Sequence, residues 1–208
     1  MKYNITIVRW LFLALFLFLI VSGKVVLWLG LFGASLLVAL FFGRVYCGYA
    51  CPMNTLMIPA EGLSKKLNMK RKKAPQFLQS GKVAWVALAA SILAMLIFKK
   101  AWQINLPILP LWLVVSLFFT FQYGPATFHN LICPFGVLQR LFGKYARFSH
   151  MVNGEDCSGC KRCEKICSTE AIEVNEENKK ASIDPALCFQ CGSCRQVCRE
   201  EMISYSRT

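Results

Sequence analysis

The sequence predicts a protein in two parts, a membrane all-α domain with four spanning helices and a small α+β domain rich in cysteine. The 208-residue chain is 56% hydrophobic yet carries a formal net charge of +13, a combination typical of membrane proteins with basic loops. Residues 1–154 hold 16 basic residues and one acid, whereas residues 155–208 hold 8 basic and 10 acidic residues. The 11 cysteines have the spacing of metal ligands rather than of a disulfide framework.

These observations place a domain boundary near Val152, with a membrane domain over residues 1–152 and a second domain over residues 153–208. A helix needs about 20 apolar residues to cross a bilayer. Four apolar runs approach this length, and the predicted spans cover residues 5–21, 25–42, 83–98 and 106–122. Residues 1–22 could instead be a cleaved signal peptide, but no convincing cleavage site follows them, so a retained helix is favoured.

The basic residues predict how the spans are oriented. With the N-terminus inside, 13 of the 16 basic residues in the first domain lie on the inner side, and only Lys24, Lys99 and Lys100 lie outside. Positive inner loops are typical of a multi-pass protein of the inner (cytoplasmic) membrane, so both termini are predicted to be cytoplasmic. The run KKLNMKRKK at residues 65–73, which includes Lys70 and Lys73, could bind nucleic acid. Beside four spans, contact with anionic lipid is the better interpretation, and no nucleic-acid partner is expected.

Two related motifs follow the second and fourth spans. The first, CGYACP at residues 47–52, contains Cys47 and Cys51, and the second, HNLICP at residues 129–134, contains His129 and Cys133. Each motif precedes an amphipathic stretch, which predicts a helix lying in the membrane interface. The apolar positions are Leu56, Ala60, Leu63 and Leu67 after the first motif, and Leu138, Leu141, Phe142, Tyr145 and Phe148 after the second.

The most specific pattern is a doubled cysteine motif in the second domain. Residues 157–167 and 188–198 both read C-x2-C-x2-C-x3-C, and the copies are 31 residues apart. In such pairs, three close cysteines of one copy and the fourth cysteine of the other hold one 4Fe-4S cluster. We therefore predict two 4Fe-4S clusters. Their ligands are Cys157, Cys160, Cys163 and Cys198 for cluster 1, and Cys188, Cys191, Cys194 and Cys167 for cluster 2. Two zinc sites are the alternative, which the doubled spacing disfavours.

About fifty residues bury little apolar surface, so bound clusters are expected to hold the second domain together. Between the two copies, Ile172–Val174 and Ala181–Ile183 predict a short hairpin that turns at residues 176–178.

Together these motifs resemble the NapH-type membrane-bound ferredoxins over essentially the whole chain, and the second domain resembles the α+β bacterial two-cluster ferredoxins. The resemblance implies a membrane-anchored electron carrier between the quinone pool, or a membrane redox partner, and a partner redox protein in a larger complex. It also allows a role as a quinol dehydrogenase subunit. The chain departs from these patterns in three places. Ser168 and Arg199 replace the usual proline after each fourth cysteine, and His129 replaces a motif cysteine.

Cys47, Cys51, His129 and Cys133 could hold a third iron–sulfur cluster, because histidine replaces cysteine in Rieske centres. The same set would suit zinc. Alternatively, His129 is an interfacial histidine beside structural thiols, or Cys47 and Cys51 form a disulfide, which a cytoplasmic position disfavours.

Glu61 is the single carboxylate in residues 1–154. It is a candidate proton acceptor in quinol oxidation, although a solvated residue on a surface helix is the simpler interpretation. The sequence places His150 in a linker.

Two other functions stay open at this point: a self-contained reductase of cupric or ferric ion, and an iron–sulfur sensor or assembly scaffold. The chain contains neither a G-x-G-x-x-G motif nor a P-loop, which favours a relay subunit over a self-contained enzyme.

Overall fold

A computed structural model describes residues 2–69, 71–72, 74–103, 107–153 and 157–207 of the chain. Lys70 and Lys73 of the predicted basic cluster, and the predicted start of the fourth span at residue 106, lie outside these described residues. The chain forms two compact units, one made of Met1–Cys51 and Gln139–Thr208, and the other made of Pro52–Leu138.

The first unit begins with a helical hairpin, α1 (Lys2–Val21) and α2 (Val25–Phe42), followed by the short helix α3 (Val45–Tyr49). Trp28 of α2 fills the space between these helices. Its ring meets the edge of Phe16 at 5.1 Å between centroids, and its Nε1–H donates a hydrogen bond to Tyr46 Oη at 3.0 Å. Helix α2 has the same bounds as the second predicted span, and α1 starts three residues before the first predicted span.

The second unit is helical. It contains α4 (Pro52–Lys66), α5 (Gln76–Gln79), α6 (Lys82–Trp102), α7 (Ile108–Tyr123), α8 (Pro125–Thr127), a π-helix (Phe128–Ile132) and the start of α9 (Pro134–Gly143). Helix α6 is longer than the predicted 83–98. Helix α7 has 16 residues and begins after Pro107, because a proline has no N–H to donate and sits best at a helix start.

Across both units, three helices within the described residues are long and apolar enough to cross a membrane: Asn4–Val21, Val25–Phe42 and Lys82–Ala101. Only 17%, 17% and 6% of their residues are buried inside the protein, so their apolar side chains are not part of a soluble core. Apolar surface of this extent requires an apolar partner, and lipid is that partner in a membrane protein. The Ile108–Tyr123 helix is apolar but shorter, so four spans remain a prediction.

The amphipathic stretches after the two C-P motifs form α4 and α9, and the second helix is shorter than predicted. The buried residues of α4 include Met53, Met57, Ala60 and Ser64, while Leu63 in this helix and Leu67 just beyond it are exposed. Helix α9 ends at Gly143, so Tyr145 and Phe148 lie beyond it, and Phe148 begins a strand. Their location in the membrane interface stays a prediction.

The part of the chain over residues 148–207, called the cysteine-rich segment, contains two small antiparallel sheets and two short helices within its described residues. Strand β1 (Phe148–Val152) pairs with β4 (Ile203–Arg207), and β2 (Ile172–Val174) pairs with β3 (Ala181–Ile183). The predicted hairpin is confirmed, with Ile172 opposite Ile183. The helices are α10 (Arg162–Ile166) and α11 (Ser193–Val197). The linker interpretation of His150 is wrong, because this residue lies in the middle of β1 with 7% of its surface exposed.

The backbone repeats the 31-residue period of the cysteine motif. Six residues with positive φ form three pairs at this spacing: Gly159 and Gln190, Lys161 and Gly192, and Glu170 and Glu201. Helices α10 and α11 begin 31 residues apart, as do strands β2 and β4. The two halves of the segment therefore share one local fold.

The core of this segment is small and rich in cysteine. Its buried members are Cys163, Ile172, Val174, Ala181, Cys194 and Ile203, and three further cysteines, Cys157, Cys167 and Cys198, pack against them. This agrees with the expectation that apolar burial alone gives the segment little stability.

The pair α6 and α7 gives a first testable prediction. Trp112 Nε1–H donates a hydrogen bond to Ser91 Oγ at 3.0 Å, whereas Ser116 Oγ–H donates to Leu113 O within its own helix at 2.7 Å. Hydrogen bonds between helices in membranes contribute about 0.6 kcal/mol on average. We expect Ser91→Ala to lower the thermal unfolding midpoint of the protein in detergent by more than the matched variant Ser116→Ala. Equal midpoints for the two variants would contradict this assignment.

Candidate metal centres

Two cavities in the first unit are each lined by four cysteines, and each set combines both copies of the motif. Cys157, Cys160, Cys163 and Cys198 line a cavity of about 150 Å³. Cys167, Cys188, Cys191 and Cys194 line a narrower cavity of about 20 Å³. The structure therefore brings together both sets of four that the sequence predicted, with the fourth cysteine of each copy crossing to the other cavity.

The loop conformation explains how three cysteines of one copy face one cavity. The residues before and after the second cysteine both take left-handed φ angles, at 63° and 57° for Gly159 and Lys161 and at 57° and 66° for Gln190 and Gly192. These two reversals wrap the chain around the cavity. The third cysteine then lies inside a short helix, and the fourth ends that helix in an extended conformation.

Backbone N–H groups point at the cysteine sulfurs of the narrower cavity. Ala171 N–H donates to Cys167 Sγ and Gln190 N–H donates to Cys188 Sγ, both at 3.4 Å. Hydrogen bonds of this kind stabilise negative charge on sulfur and tune iron–sulfur centres.

The two sets of thiols differ in exposure. Burial raises the pKa of Cys188 and of Cys194 to about 12. Cys160 is exposed, and a hydrogen bond from the backbone N–H of Arg162 is the main cause that lowers its pKa. A buried neutral thiol must lose its proton to bind a metal, so loading of the narrower cavity is coupled to proton release.

The donor sets fit the predicted 4Fe-4S groups by their chemistry. Each cavity offers four thiols, and Glu200 also lines the wider cavity, while no histidine among the described residues lines either one. The thiols surround each cavity rather than converge on one point. In the described ranges, no three His, Cys, Asp or Glu side chains form a group that would hold a single metal ion. The cavity of about 20 Å³ has room for about one water molecule, so its cysteine side chains would have to change rotamer to hold a cluster.

The residues of the two C-P motifs lie in different compact units. Cys47 and Cys51 belong to the first unit and are 3% and 6% exposed. His129 and Cys133 belong to the second unit, are each 2% exposed, and lie in and directly after the π-helix. A π-helical turn often accompanies a functional site. All 11 cysteines are present as thiols, Cys47 and Cys51 included.

Glu61 is held by two cations of the second unit. Its Oε1 accepts from Arg71 Nη2 at 2.8 Å and contacts Lys65 Nζ at 3.0 Å, and 16% of its side chain is exposed. Burial raises the pKa of Glu61, but hydrogen bonds from Arg71 and Lys65 outweigh this effect and leave the pKa below its ordinary value. A carboxylate with a lowered pKa is a weak proton acceptor at neutral pH. This arrangement favours a structural role over the predicted proton transfer.

The sequence analysis missed a set of residues around the narrower cavity, namely Arg44, Gly48, Tyr49, His150 and Gln190. Tyr49 Oη–H donates to Gln190 O at 3.1 Å, and the guanidinium of Arg44 lies 4.8 Å from the centre of the Phe189 ring. His150 N–H donates to Gln190 Oε1 at 3.2 Å. Burial, followed by the positive charge of Arg195, lowers the pKa of His150, so its imidazole is neutral at pH 7. Among these, Gly48 carried a sequence signal as a glycine inside a C-P motif, and Arg44 was counted only among the basic residues on the inner side.

Comparisons with protein families agree with this arrangement. Residues 24–72 and 105–151 match a family described as "4Fe-4S binding domain", and each matched segment contains one C-P motif. Residues 156–202 match the "4Fe-4S dicluster domain" family. The second match covers both copies of the doubled cysteine motif. The chain is therefore an iron–sulfur protein.

Similar proteins cover most of the chain. An uncharacterized protein of Methanocaldococcus jannaschii is 29% identical over 83% of this chain and 68% of its own. The ferredoxin-type protein NapH of Haemophilus influenzae is 24% identical over 86% of this chain and 68% of its own. The methylamine utilization ferredoxin-type protein MauN of Methylorubrum extorquens is 26% identical over 72% of this chain and 57% of its own.

No solved structure matches the chain. The sequence matches nevertheless confirm the predicted resemblance to NapH-type membrane ferredoxins, and they support an iron–sulfur electron-transfer protein that is similar to NapH and MauN.

The ion pairs of Glu61 give a second prediction. Because the pKa of Glu61 is lowered, their stabilisation is complete at neutral pH and is lost only as the pH falls through this lowered pKa. We expect Glu61→Gln to speed tryptic cleavage between residues 65 and 72 several-fold at pH 8. The control is Glu176→Gln, whose carboxylate is 88% exposed and pairs with Lys161 at 3.4 Å. A cleavage rate in Glu61→Gln no higher than in the control would contradict the structural role.

Proposed function

We propose that this protein is a membrane-anchored relay that passes electrons between the quinone pool and a partner redox protein through two 4Fe-4S clusters. One observation carries this proposal: the eight cysteines of the doubled motif line two cavities in the crossed arrangement of a two-cluster ferredoxin. Attachment to apolar helices with little internal burial supports a membrane location for the relay.

Each cavity has a proposed ligand set. Cys157, Cys160, Cys163 and Cys198 would hold cluster 1, and Cys167, Cys188, Cys191 and Cys194 would hold cluster 2. When bound, each cluster would accept and return a single electron. The chain positions the thiols through its left-handed loop residues and donates backbone N–H groups to the sulfurs of cluster 2. The buried aliphatic side chains of Ile172, Val174 and Ile203 pack in one cluster with cysteines of both cavities.

The membrane exchange is proposed to use a quinol and a quinone. Oxidation of one quinol releases two electrons and two protons, and two one-electron clusters match this number of electrons. The basic residues support an arrangement with both termini in the cytoplasm of an inner-membrane protein, where reduced thiols persist. A relay of this size requires a partner, so assembly into a larger redox complex is part of the proposal.

The third set of Cys47, Cys51, His129 and Cys133 remains a prediction. Its support is the match of both C-P segments to one "4Fe-4S binding domain" family and the near-complete burial of all four residues.

Metal analysis tests the cofactor content. We expect about eight irons and eight acid-labile sulfides per chain after anaerobic purification, if the two crossed sets are the cluster sites. About twelve of each would extend the relay to the third set, and His129→Ala should then return the content to about eight. Zinc without sulfide would contradict the proposed function.

The crossed ligand sets give a further prediction. Cys198→Ser should damage the same cluster as Cys160→Ser, although these residues belong to different copies of the motif. Cys191→Ser should damage the other cluster. The measurement is the electron paramagnetic resonance spectrum of the fully reduced protein, in which each variant should lose or alter one of two signals. If Cys198→Ser instead altered the signal that Cys191→Ser alters, the ligands would not cross between copies.

A further inference from the structure

The two halves of the cysteine-rich segment share one fold but have different surroundings. In the first half, Ser158, Cys160 and Lys161 are exposed. The equivalent positions of the second half, 31 residues later, are Phe189, which is 3% exposed, and the partly buried Cys191 and Gly192. Beside the first half, an open groove lined by Arg162, Lys165 and Arg199 reaches Cys198. Another part of the chain therefore covers the ligand loop of cluster 2, whereas the ligand loop of cluster 1 is open to solvent.

The cover is the segment that contains the first C-P motif. The backbone of Gly48 lies so close to the Phe189 carbonyl that a Cβ at residue 48 would overlap with that oxygen. Tyr49, the next residue, donates its hydroxyl hydrogen bond to the carbonyl oxygen of Gln190 at 3.1 Å. Arg9 Nε–H fixes the other side of the motif by donating to Gly48 O at 2.7 Å.

Gln190 connects this segment to the sheet. Its side chain is 5% exposed, donates to Ser149 Oγ at 2.9 Å and accepts from His150 N–H at 3.2 Å. Gly43 approaches the same side chain, since a Cβ at residue 43 would lie 2.8 Å from Gln190 Nε2. The motif segment, the ligand loop and strand β1 thus meet at one buried amide.

Arg44 brings a positive charge into this contact. Its side chain is fully buried, lies 4.8 Å from the Phe189 ring centre and reaches the carbonyl of Ala186 at 3.5 Å. A cluster with four thiolate ligands would be anionic, so a cluster held by the Cys188–Cys194 loop would place negative charge near this buried cation.

We infer that cluster 2, which the Cys188–Cys194 loop would hold, is the cluster that exchanges electrons with the first C-P motif. Electrons would then pass between the motif and cluster 2 before they reach cluster 1. The inference rests on the proposed function. The contact joins the backbone of Gly48, next to Cys47, to the carbonyl of Phe189, next to Cys188. Each transfer would move one electron, which would oxidise the donor centre by one unit and reduce the acceptor cluster by one unit. The original donor would be a membrane quinol, whose oxidation to quinone breaks two O–H bonds, releases two protons and supplies two electrons, one for each cluster.

Arg44 provides the test, because its charge should favour reduction of the nearby cluster. The full-length protein in lipid nanodiscs is titrated with reductant while both cluster signals are followed by electron paramagnetic resonance. Cys191→Ser and Cys160→Ser identify the signals of cluster 2 and cluster 1. We expect Arg44→Gln to lower the midpoint potential of cluster 2 and leave that of cluster 1 unchanged. A shift confined to cluster 1, an equal shift of both, or no shift would overturn the inference.

A second pair of variants keeps the inference testable if Arg44→Gln does not fold. Gly48→Ala should change the signal shape or potential of cluster 2 by displacing the motif from Phe189. Gly30→Ala is the matched control, because no atom lies within 4 Å of a Cβ at that helical position. A cluster 2 signal unaffected in Gly48→Ala would overturn the inference. A purified protein without either cluster signal would instead contradict the proposed function.

Discussion

The rest of the structure depends on the crossing of two sets of four cysteines. The segment after residue 147 has a core of few aliphatic side chains, and five of its eight motif cysteines belong to that core or pack against it. Such a core gives little stability by burial. Because each cavity takes its fourth thiol from the other copy, neither half can complete a site alone. The left-handed residues beside Cys160 and Cys191 then follow as a requirement of three thiols facing one cavity.

A second consequence concerns how the N-terminal helical hairpin of α1 and α2 joins the cysteine-rich segment. These two regions belong to one compact unit, although their composition differs sharply along the chain. Glycine at residue 48 allows the backbone of the first C-P motif to meet the carbonyl of Phe189. Gln190 then satisfies its buried amide with Ser149 and His150. The predicted domain boundary near Val152 therefore stays a prediction about independent folding. The compact units of the structure instead combine Met1–Cys51 with Gln139–Thr208.

Local patterns in the sequence predicted much of this arrangement, and contacts between distant residues explain what they missed. The hairpin of Ile172–Val174 and Ala181–Ile183 follows from alternation around a polar turn. The spacing of the doubled motif, with the crossed pattern of two-cluster proteins, predicted which cysteines line each cavity. The burial of His150 depends on Gln190, which lies 40 residues away. Glu61 forms an ion pair with Arg71, which lies beyond the end of α4, and no periodicity in the sequence predicts this contact. In the sequence, Arg44 is one of the basic residues that predict the orientation of the spans, yet its side chain is completely buried in the structure.

The central claim is that the clusters of this protein exchange electrons with quinone in the membrane. The most direct measurement starts with the full-length protein in nanodiscs, reduced anaerobically and freed of reductant. Quinone is then added to the bilayer, and the loss of the reduced-cluster signals is followed in time. Our account predicts reoxidation at a rate that saturates with the quinone content of the bilayer, with one quinol formed for every two clusters oxidised. Clusters that stay reduced in the presence of bilayer quinone, yet are oxidised at once by ferricyanide, would contradict it.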